Sequence, residues 1–539
     1  MQTLLDVIGD AFEVFVGSES KGRTGQFFTP RSVTDLLVEA VSPSPDETII
    51  DPACGAGGFL TSVIKYHQSN GVSFEKLSSI AKTSLFGIDK DDYLAKLARL
   101  HISLLTGGHP NIYCGDSLSQ ANGLKDIKEK RFDIILTNPP FGSKIVAANE
   151  DVLKTFELAR KWKFDSKNKD WICTPDLRKR VPPQVLFIER CFSLLRDGGR
   201  VGMVVPESIL SNKSYEYVTN YILSNSDIQA IIGMPEALFK TSGKGGTHTK
   251  TCLLITKKIS DSKRKSKKIF MAEAKWCGHD SRARVIPNND LPEVSDNLKK
   301  YSVKKISQES HLGFTVDKNR IKNNVLCPRY YNPTISQELI HLNDTHDLVL
   351  FNDLLDRGIL EISTGDELGK LAYGTGDIPF VRTSDISNWE LKADPKHGVD
   401  RSFYDSLKKK QDVQVNDILM VKDGTYLIGT CAIVTEFDQE IIYQSHLYKV
   451  RVRPNDTGLN SFLLLAILSC PIVNAQIRSK QFSQDIIDSL GGRIKELILP
   501  IPKSEPKRKR ITSMVQQSIN DRVEARELAK LARAEVVGK

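Results

Sequence analysis

The sequence has no CxxC pair, no His/Cys ligand cluster and no GxxxxGKS or GxxxxGKT phosphate loop anywhere in its 539 residues. Its nine cysteines stand apart, which excludes a disulfide framework and a zinc ribbon and fits reduced thiols in the cytoplasm. Cys277 and His279 in WCGHD come nearest to a metal pair, but one pair is not a site, so no metal is expected. No apolar run reaches the ~18 residues of a membrane helix, and the amphipathic opening MQTLLDVIGDAFEVF lacks a basic leader. A soluble, cytoplasmic protein without a membrane partner is therefore expected. No fixed repeat of about 20–50 residues is present, which excludes a solenoid.

What is present is length and alternation. A chain of 539 residues exceeds one core and predicts roughly two to four domains. The net charge of +9 permits a nucleic-acid partner without demanding one. In the first half, short β-rich runs alternate with helical periodicity: ETIID (47–51), SLFGID (84–89), NIYC (111–114), FDIILTN (132–138), RVGMVV (200–205), IQAIIGM (228–234) and KTCLLIT (250–256). This is the pattern of an α/β fold, a parallel sheet wrapped by helices. Leu94, Leu97, Ala98 and His101 share one helical face, which makes His101 a core or rim residue rather than a ligand. The run DSKRKSKK (261–268) punctuates the first half, and beyond RYYNP the character turns β-rich. A helix is expected over Ser461 to Ile477 and a charged one from about Lys507.

DPACGAGGFL (51–60) follows a strand and opens a helix, setting Asp51, Gly55, Ala56, Gly57 and Gly58 where a cofactor approaches the backbone. The next strand ends at Asp89, positioned for ribose hydroxyls, and the third ends before Asp116 at the same edge. Ligands of open α/β sheets bind outside the carboxyl ends of the strands, so these groups converge on one crevice. GKGGTHTK (243–250) precedes a strand without matching a phosphate loop. A nucleoside cofactor without a pyrophosphate grip points to S-adenosylmethionine. In GQFFTPRSVTDLLVEAV (25–41), Thr29 reads as N-cap and Pro30 as first helical residue; this helix start suits an anionic group, and Phe27 or Phe28 suits packing on the cofactor.

The apolar run FDIIL ends in LTNPPFG. A Pro-Pro step cannot continue a ladder, so the strand stops with Asn138 at its tip. The Asn138 side-chain oxygen and the Pro139 carbonyl are two acceptors held at that tip, with Pro140 stiffening the turn and Phe141 following it.

GQFFTP, DPACGAGGF, Asp89 and NPPF, in that order, resemble the motifs of gamma-class amino-methyltransferases of DNA. The likeness is closest to the modification subunit of type I restriction-modification systems, through KSKKIFMAE and RYYNP as well. The resemblance implies a Rossmann-like methyltransferase domain with a mixed seven-stranded sheet, and adenine N6 methylation in which the Asn138 side-chain oxygen and the Pro139 carbonyl take the two hydrogens of the exocyclic amine and Phe141 stacks on a base outside the duplex. It sets Gln26, Phe27, Phe28, Thr29, Pro30, Arg31, Ala56, Gly57, Gly58 and Asp89 in the positions of the family's cofactor contacts. GDIPFVRTSDI, NDILMVKDGTYLIGTCAIV, SFLLLAILSCPIVNAQI and IKELILPIP resemble the target-recognition domain of type I specificity subunits. Arg382, Ser384, Lys422, Thr425 and Tyr426, in polar turns, are the candidate DNA contacts.

The expected division is a helical lead-in (1–24), a methyltransferase domain (25–330), a β-rich α/β recognition domain (331–505) and a terminal helix (506–539) that either spaces a dimer or packs on its own domain. The expected partners are double-stranded DNA and either a second copy of the chain or a specificity or restriction subunit. Cytosine-N4 transfer and a non-catalytic DNA-binding assembly component stand as the alternatives.

Overall fold

The computed structural model describes residues 29–119, 127, 129–141, 149–168, 170–241, 249–259, 266–303, 309–392, 395–424, 426–484, 487–536 and 538. Gln26, Phe27, Phe28, Thr425, the 1–24 lead-in, and most of the 243–250 and 261–268 segments lie outside these residues. The chain divides into two compact units, Met1–Tyr331 and Asn332–Lys539.

The first unit is built on one mixed sheet. Its strands are β1 (Ile49–Asp51), β2 (Leu85–Asp89), β3 (Asn111–Cys114), β4 (Phe132–Thr137), β5 (Leu195–Pro206), β6 (Ser226–Gly233), β7 (Thr251–Lys258), β8 (Lys268–Glu273) and β9 (Phe314–Asp317). Their spatial order is β9-β8-β6-β7-β5-β4-β1-β2-β3. The sheet is thus wider than the seven strands expected. KIFMAE and FTVD extend it, because Ile269, Met271, Phe314 and Val316 bury one side against the same core as β5 and β6. Neighbours from β3 through β5 are parallel, β7 runs antiparallel to both β5 and β6, and β8 is again parallel to β6.

Helices cover both faces: α1 (Arg31–Val41), α2 (Gly58–Ser69), α3 (Phe74–Thr83), α4 (Asp92–Thr106), α5 (Pro183–Leu194), α6 (Glu216–Asn225) and α7 (Leu291–Ser302). The apolar side chains of the sheet alternate between two cores. One joins Ile134, Leu136 and Val204 to Val33 and Leu37 of α1, and the other joins Ile135, Met203 and Val205 to Val185 and Ile188 of α5. His101 is buried within α4, as its apolar face requires.

Helix α1 is fixed along its length. Gly202 on β5 admits it, since a Cβ there would come within 3.3 Å of both Leu37 and Val41. Arg200 donates to the Val41 carbonyl at 2.8 Å and grips Glu47 through two nitrogens at 3.0 and 2.7 Å. Thr34 Oγ1 and Ser62 Oγ lie 2.8 Å apart, and the Ser62 hydroxyl donates to Asp35 at 2.8 Å, which ties α1 to α2.

The second unit holds a strand pair, β10 (His346–Leu350) with β15 (Ile498–Pro502), and a four-stranded antiparallel sheet. The latter comprises β11 (Leu360–Thr364), β12 (Ile418–Val421), β13 (Cys431–Ile433) and β14 (Leu447–Val452) in the order β11-β14-β12-β13. Its helices are α8 (Arg401–Gln411), α9 (Ser461–Ser469), α10 (Pro471–Lys480) and α11 (Glu505–Val536). The helical segment expected over Ser461 to Ile477 is made of two helices, bent by 65° at Pro471, whose ring cannot continue α9 but starts α10. Among the described residues no single helix is long and apolar enough to cross a membrane. Helix α11 buries Val515 and Ile519 in the core of its own unit, with Ile511 and Val523 packed beside them, while Leu528 and Leu531 are exposed.

Candidate active site

The strand order reverses at β1, whose neighbours β2 and β4 diverge to either side, and a crevice opens there at the carboxyl ends. The turn after β1 is shaped by two glycines in the left-handed region, Gly55 (φ +50°) and Gly57 (φ +87°). Gly57 also lies against α4: a Cβ would stand 3.2 Å from the Ala98 Cβ and 3.4 Å from its Cα. A Cβ at Gly55 would meet nothing within 4 Å, so that turn faces open space.

Asp89 at the tip of β2 holds the turn. Its Oδ2 accepts from the Gly55 amide at 2.8 Å and its Oδ1 from the Asp91 amide at 2.9 Å. Each carboxylate oxygen has a second lone pair, so the same group retains capacity for two hydroxyl donors. Burial raises its pKa against the pull of these amides. Asp51, buried at the tip of β1, accepts from the Ala53 amide at 3.0 Å; desolvation pushes its pKa up to about 7, opposed by that amide and the nearby Thr137 hydroxyl and reinforced by Asp89. The Ser117 hydroxyl donates to the Pro52 carbonyl at 2.5 Å. Asp116 accepts from the Leu118 amide at 2.9 Å and lies 3.4 Å from Lys90 Nζ, at the rim.

Asn138 follows β4. Its Nδ2 donates to Thr29 Oγ1 at 3.0 Å, and its Oδ1 is buried with no hydrogen-bond partner among the described residues. An orphaned buried acceptor of this kind costs about 1–3 kcal/mol, which an incoming donor returns. Thr29 is therefore not the N-cap expected of it. Pro30 occupies that position, its carbonyl accepting from Val33 at 2.9 Å and Thr34 at 3.2 Å, and the Thr29 hydroxyl is engaged by Asn138 instead. Arg31, the first helical residue, lies 3.5 Å from Asp35 at the surface. Pro139 is buried and Pro140 exposed. Phe141 is buried edge-on against Phe239, with ring centroids 5.8 Å apart, so its ring is part of a packed wall and not the open platform the sequence suggested. Ala56 borders Leu94 and Leu97, and Gly58 opens α2, where a Cβ would come no nearer than 4.0 Å to Thr34.

Further along the same edge Glu273 ends β8 over Gly233, where a Cβ would collide with its Oε2. That oxygen is buried with no hydrogen-bond partner among the described residues, and burial pushes the Glu273 pKa up to about 7 against the attraction of Arg329. Arg329 itself pairs with buried Glu207. The sequence reading missed this group and the anchoring role of Thr29. No local pattern signals either, since both depend on distant strands meeting.

In the second unit most candidate DNA contacts are engaged internally. Arg382 donates through Nη1 to His397 at 2.8 Å and lies over the Tyr373 ring, and the Ser384 hydroxyl donates to Asp385 at 3.4 Å. Lys422 donates to the Ser445 carbonyl at 3.3 Å and pairs with Asp423. Tyr426 is 96% exposed. Among the described residues no group of three or more His, Cys, Asp or Glu side chains could hold a metal, Cys277 and His279 included.

Residues 4–338 match the N-6 DNA Methylase family, and residues 357–533 match the Type I restriction modification DNA specificity domain. The EcoEI methylase subunit of Escherichia coli is 25% identical over 235 residues, 43% of this chain and 43% of that one. The HindI methylase subunit of Haemophilus influenzae is 24% identical over 352 residues, 62% of this chain and 70% of that one. Against the EcoEI, StySPI and EcoKI subunits the chain spans less than half of the relative's length. The type IIG restriction endonuclease BpuSI, a solved structure, overlays with a TM-score of 0.47 at 14% identity, covering 95% of this chain and 63% of that one.

Proposed function

The chain belongs to the N-6 DNA Methylase family, and we propose that it transfers a methyl group from S-adenosylmethionine to the N6 amine of an adenine turned out of double-stranded DNA, as the modification component of a restriction-modification system. The observation that carries this reading is the Asn138 amide, anchored through nitrogen on Thr29 with its oxygen buried and unfilled.

The residues fit the donor. Open space at Gly55 and the spare lone pairs of Asp89 suit a nucleoside whose ribose hydroxyls donate, and the start of α1, with Pro30 half-buried and Arg31 exposed, suits a carboxylate. When bound, S-adenosylmethionine supplies an electrophilic methyl on a sulfonium. Adenine N6 is a poor nucleophile because its lone pair is drawn into the ring. Asn138 Oδ1 and the Pro139 carbonyl accept its two hydrogens, which returns density to nitrogen and aims it at the donor. No strong base is needed in NPPF, since the amine acidifies once it carries the methyl. Phe141, held by Phe239, lines the wall beside the base.

The second unit reads the sequence of the site. Its match to a DNA specificity domain supports this, with Tyr426 and Ser384 exposed among the candidate contacts. A second copy of the chain, or a separate specificity or restriction subunit, supplies the other half of a two-part site.

Methylation-sensitive sequencing of plasmid DNA from cells expressing this chain alone tests the proposal. N6-methyladenine at one recurring sequence is the expected result. N4-methylcytosine would move the assignment to the alternative base, and unmodified DNA together with no binding of S-adenosylmethionine by calorimetry would overturn it.

A further inference from the structure

Between β4 and α5 the chain makes an antiparallel hairpin, Arg160–Asp165 with Asp170–Leu177, that none of the chemistry above uses. Residues 160–180 hold eight Lys or Arg against three Asp, a net +5, within a chain whose total is +9. We propose that this hairpin and the following Arg178–Arg180 form a clamp for the phosphate backbone of double-stranded DNA at the rim of the methylation site. The proposal rests on the reading of the chain as a DNA methyltransferase.

Topology sets its location. Strand β4 ends at the carboxyl edge of the sheet, while parallel β5 begins at the opposite edge, so α5 must run back between them with its first residues at the carboxyl edge. The hairpin lies in the connection between Phe141 and that helix start, and its Trp162 packs on Tyr217 in the first turn of α6, which follows the carboxyl end of β5 at the same edge.

Its mount is rigid. Trp162, Trp171 and Leu177 pack on the domain core, the Trp162 ring 6.2 Å from that of Tyr217 on α6. Arg178 stacks its guanidinium 4.5 Å over the same Tyr217, and Glu189 on α5 accepts from the amides of Glu157 and Leu158 at 2.9 and 2.8 Å. Alternation then turns Lys161 and Lys163 outward, with Ile172 opposite Lys163.

The acids nearby leave the cations available. Asp165 caps the turn through the Lys167 amide and Asn168, Asp170 accepts from Trp171 and Asn220, and Asp176 faces Lys161 at 3.8 Å. Lys163, Lys167, Lys179 and Arg180 have no ion-pair partner among the described residues, and Lys163, Lys179 and Arg180 are exposed. Exposed cations without ion-pair partners on a hairpin seated on the domain core match a duplex phosphate backbone, which binds by charge and independently of sequence.

The test compares the full chain with the variant K163A/K167A/K179A/R180A. Fluorescence anisotropy on duplex DNA over about 50–200 mM salt should show binding weakened at least tenfold, with the slope against log salt reduced by about 0.9 for each phosphate no longer neutralised. KM for DNA should rise while kcat and S-adenosylmethionine affinity hold. Wild-type affinity and slope in this variant overturn the clamp. Should the quadruple variant misfold, K163Q/K179Q, with smaller losses in the same direction, and K163R/K179R, with none, decide the same question. Should the unaltered protein neither bind nor methylate DNA, the proposed function itself fails; methylation by the unaltered protein alongside unchanged binding by the variants removes the clamp alone.

Discussion

Asn138 and Thr29 lie 109 residues apart and share a 3.0 Å hydrogen bond in which the amide donates and the hydroxyl accepts. On the proposed reading, the bond decides which end of the amide remains for substrate. Were the side chain turned round, its nitrogen would present two donors to an amine that itself needs acceptors.

Asn138→Ala should lower methyl transfer by about 10²–10³-fold, the range for one preorganised group at a reacting centre, with cofactor affinity kept. A radiolabelled-methyl assay beside calorimetry separates the two effects; near-normal turnover contradicts the assignment. Thr29→Val keeps the shape and removes the anchor. One hydrogen bond of about 0.5–1.5 kcal/mol predicts roughly a two- to tenfold loss in kcat, restored by Thr29→Ser.

Asp89→Asn should weaken S-adenosylmethionine binding about ten- to a hundredfold. The carboxylate accepts from two amides, Gly55 and Asp91, whereas an asparagine must turn its nitrogen toward one of them. Calorimetry reads the affinity directly, and unchanged binding would show that Asp89 serves only the turn.

Two adjacent glycines should respond differently. Gly57→Ala forces a side chain into the left-handed region against the Ala98 backbone, and should cost about 1–3 kcal/mol in thermal or denaturant unfolding. Gly58 meets only Thr34, at 4.0 Å, so Gly58→Ala should leave stability nearly unchanged. Any loss of cofactor binding by Gly58→Ala then reports contact with the cofactor and not damage to the fold.

Stability should fall with rising pH through Glu273. Its pKa is about 7 in the folded protein against an ordinary 4.5, so from about pH 4.5 to 7 the folded state keeps a proton that the unfolded chain releases. The contribution is complete below the lower value and lost once pH passes the upper one. Glu273→Gln stays neutral throughout. The Tm of the variant relative to wild type should therefore climb between pH 5 and 7 and level off above; a constant difference would show that Glu273 is ionised throughout.

The elements that strand ends define were the legible ones. NPPF had to stop a strand, and the glycines of DPACGAGGF had to turn it, because backbone sterics allow little else. Asp89 was found by its place at a strand tip, although its first task in the structure is to hold the Gly55 amide. Thr29 was misread as a cap because capping is a local pattern, while its partner belongs to β4 more than a hundred residues later. The two outer strands were passed over since KIFMAE and FTVD become strands through pairing with distant segments, the first with β6 and the second with β8. Arg382 and Lys422 look like phosphate ligands in sequence, but their charges are turned onto His397 and Asp423. The hairpin at 160–180 was readable from charge density alone and was eclipsed by the motif just before it.

The reversal of β7 has a consequence for how the fold accepts change. Antiparallel pairing lets β7 start at the edge where β6 ends, and Phe239 in the connection packs against Phe141. The rungs between β6 and β7 stay the same whatever the length of that connection, whereas β1, β2 and β4, paired in parallel, each require the chain to recross the sheet before the next strand begins.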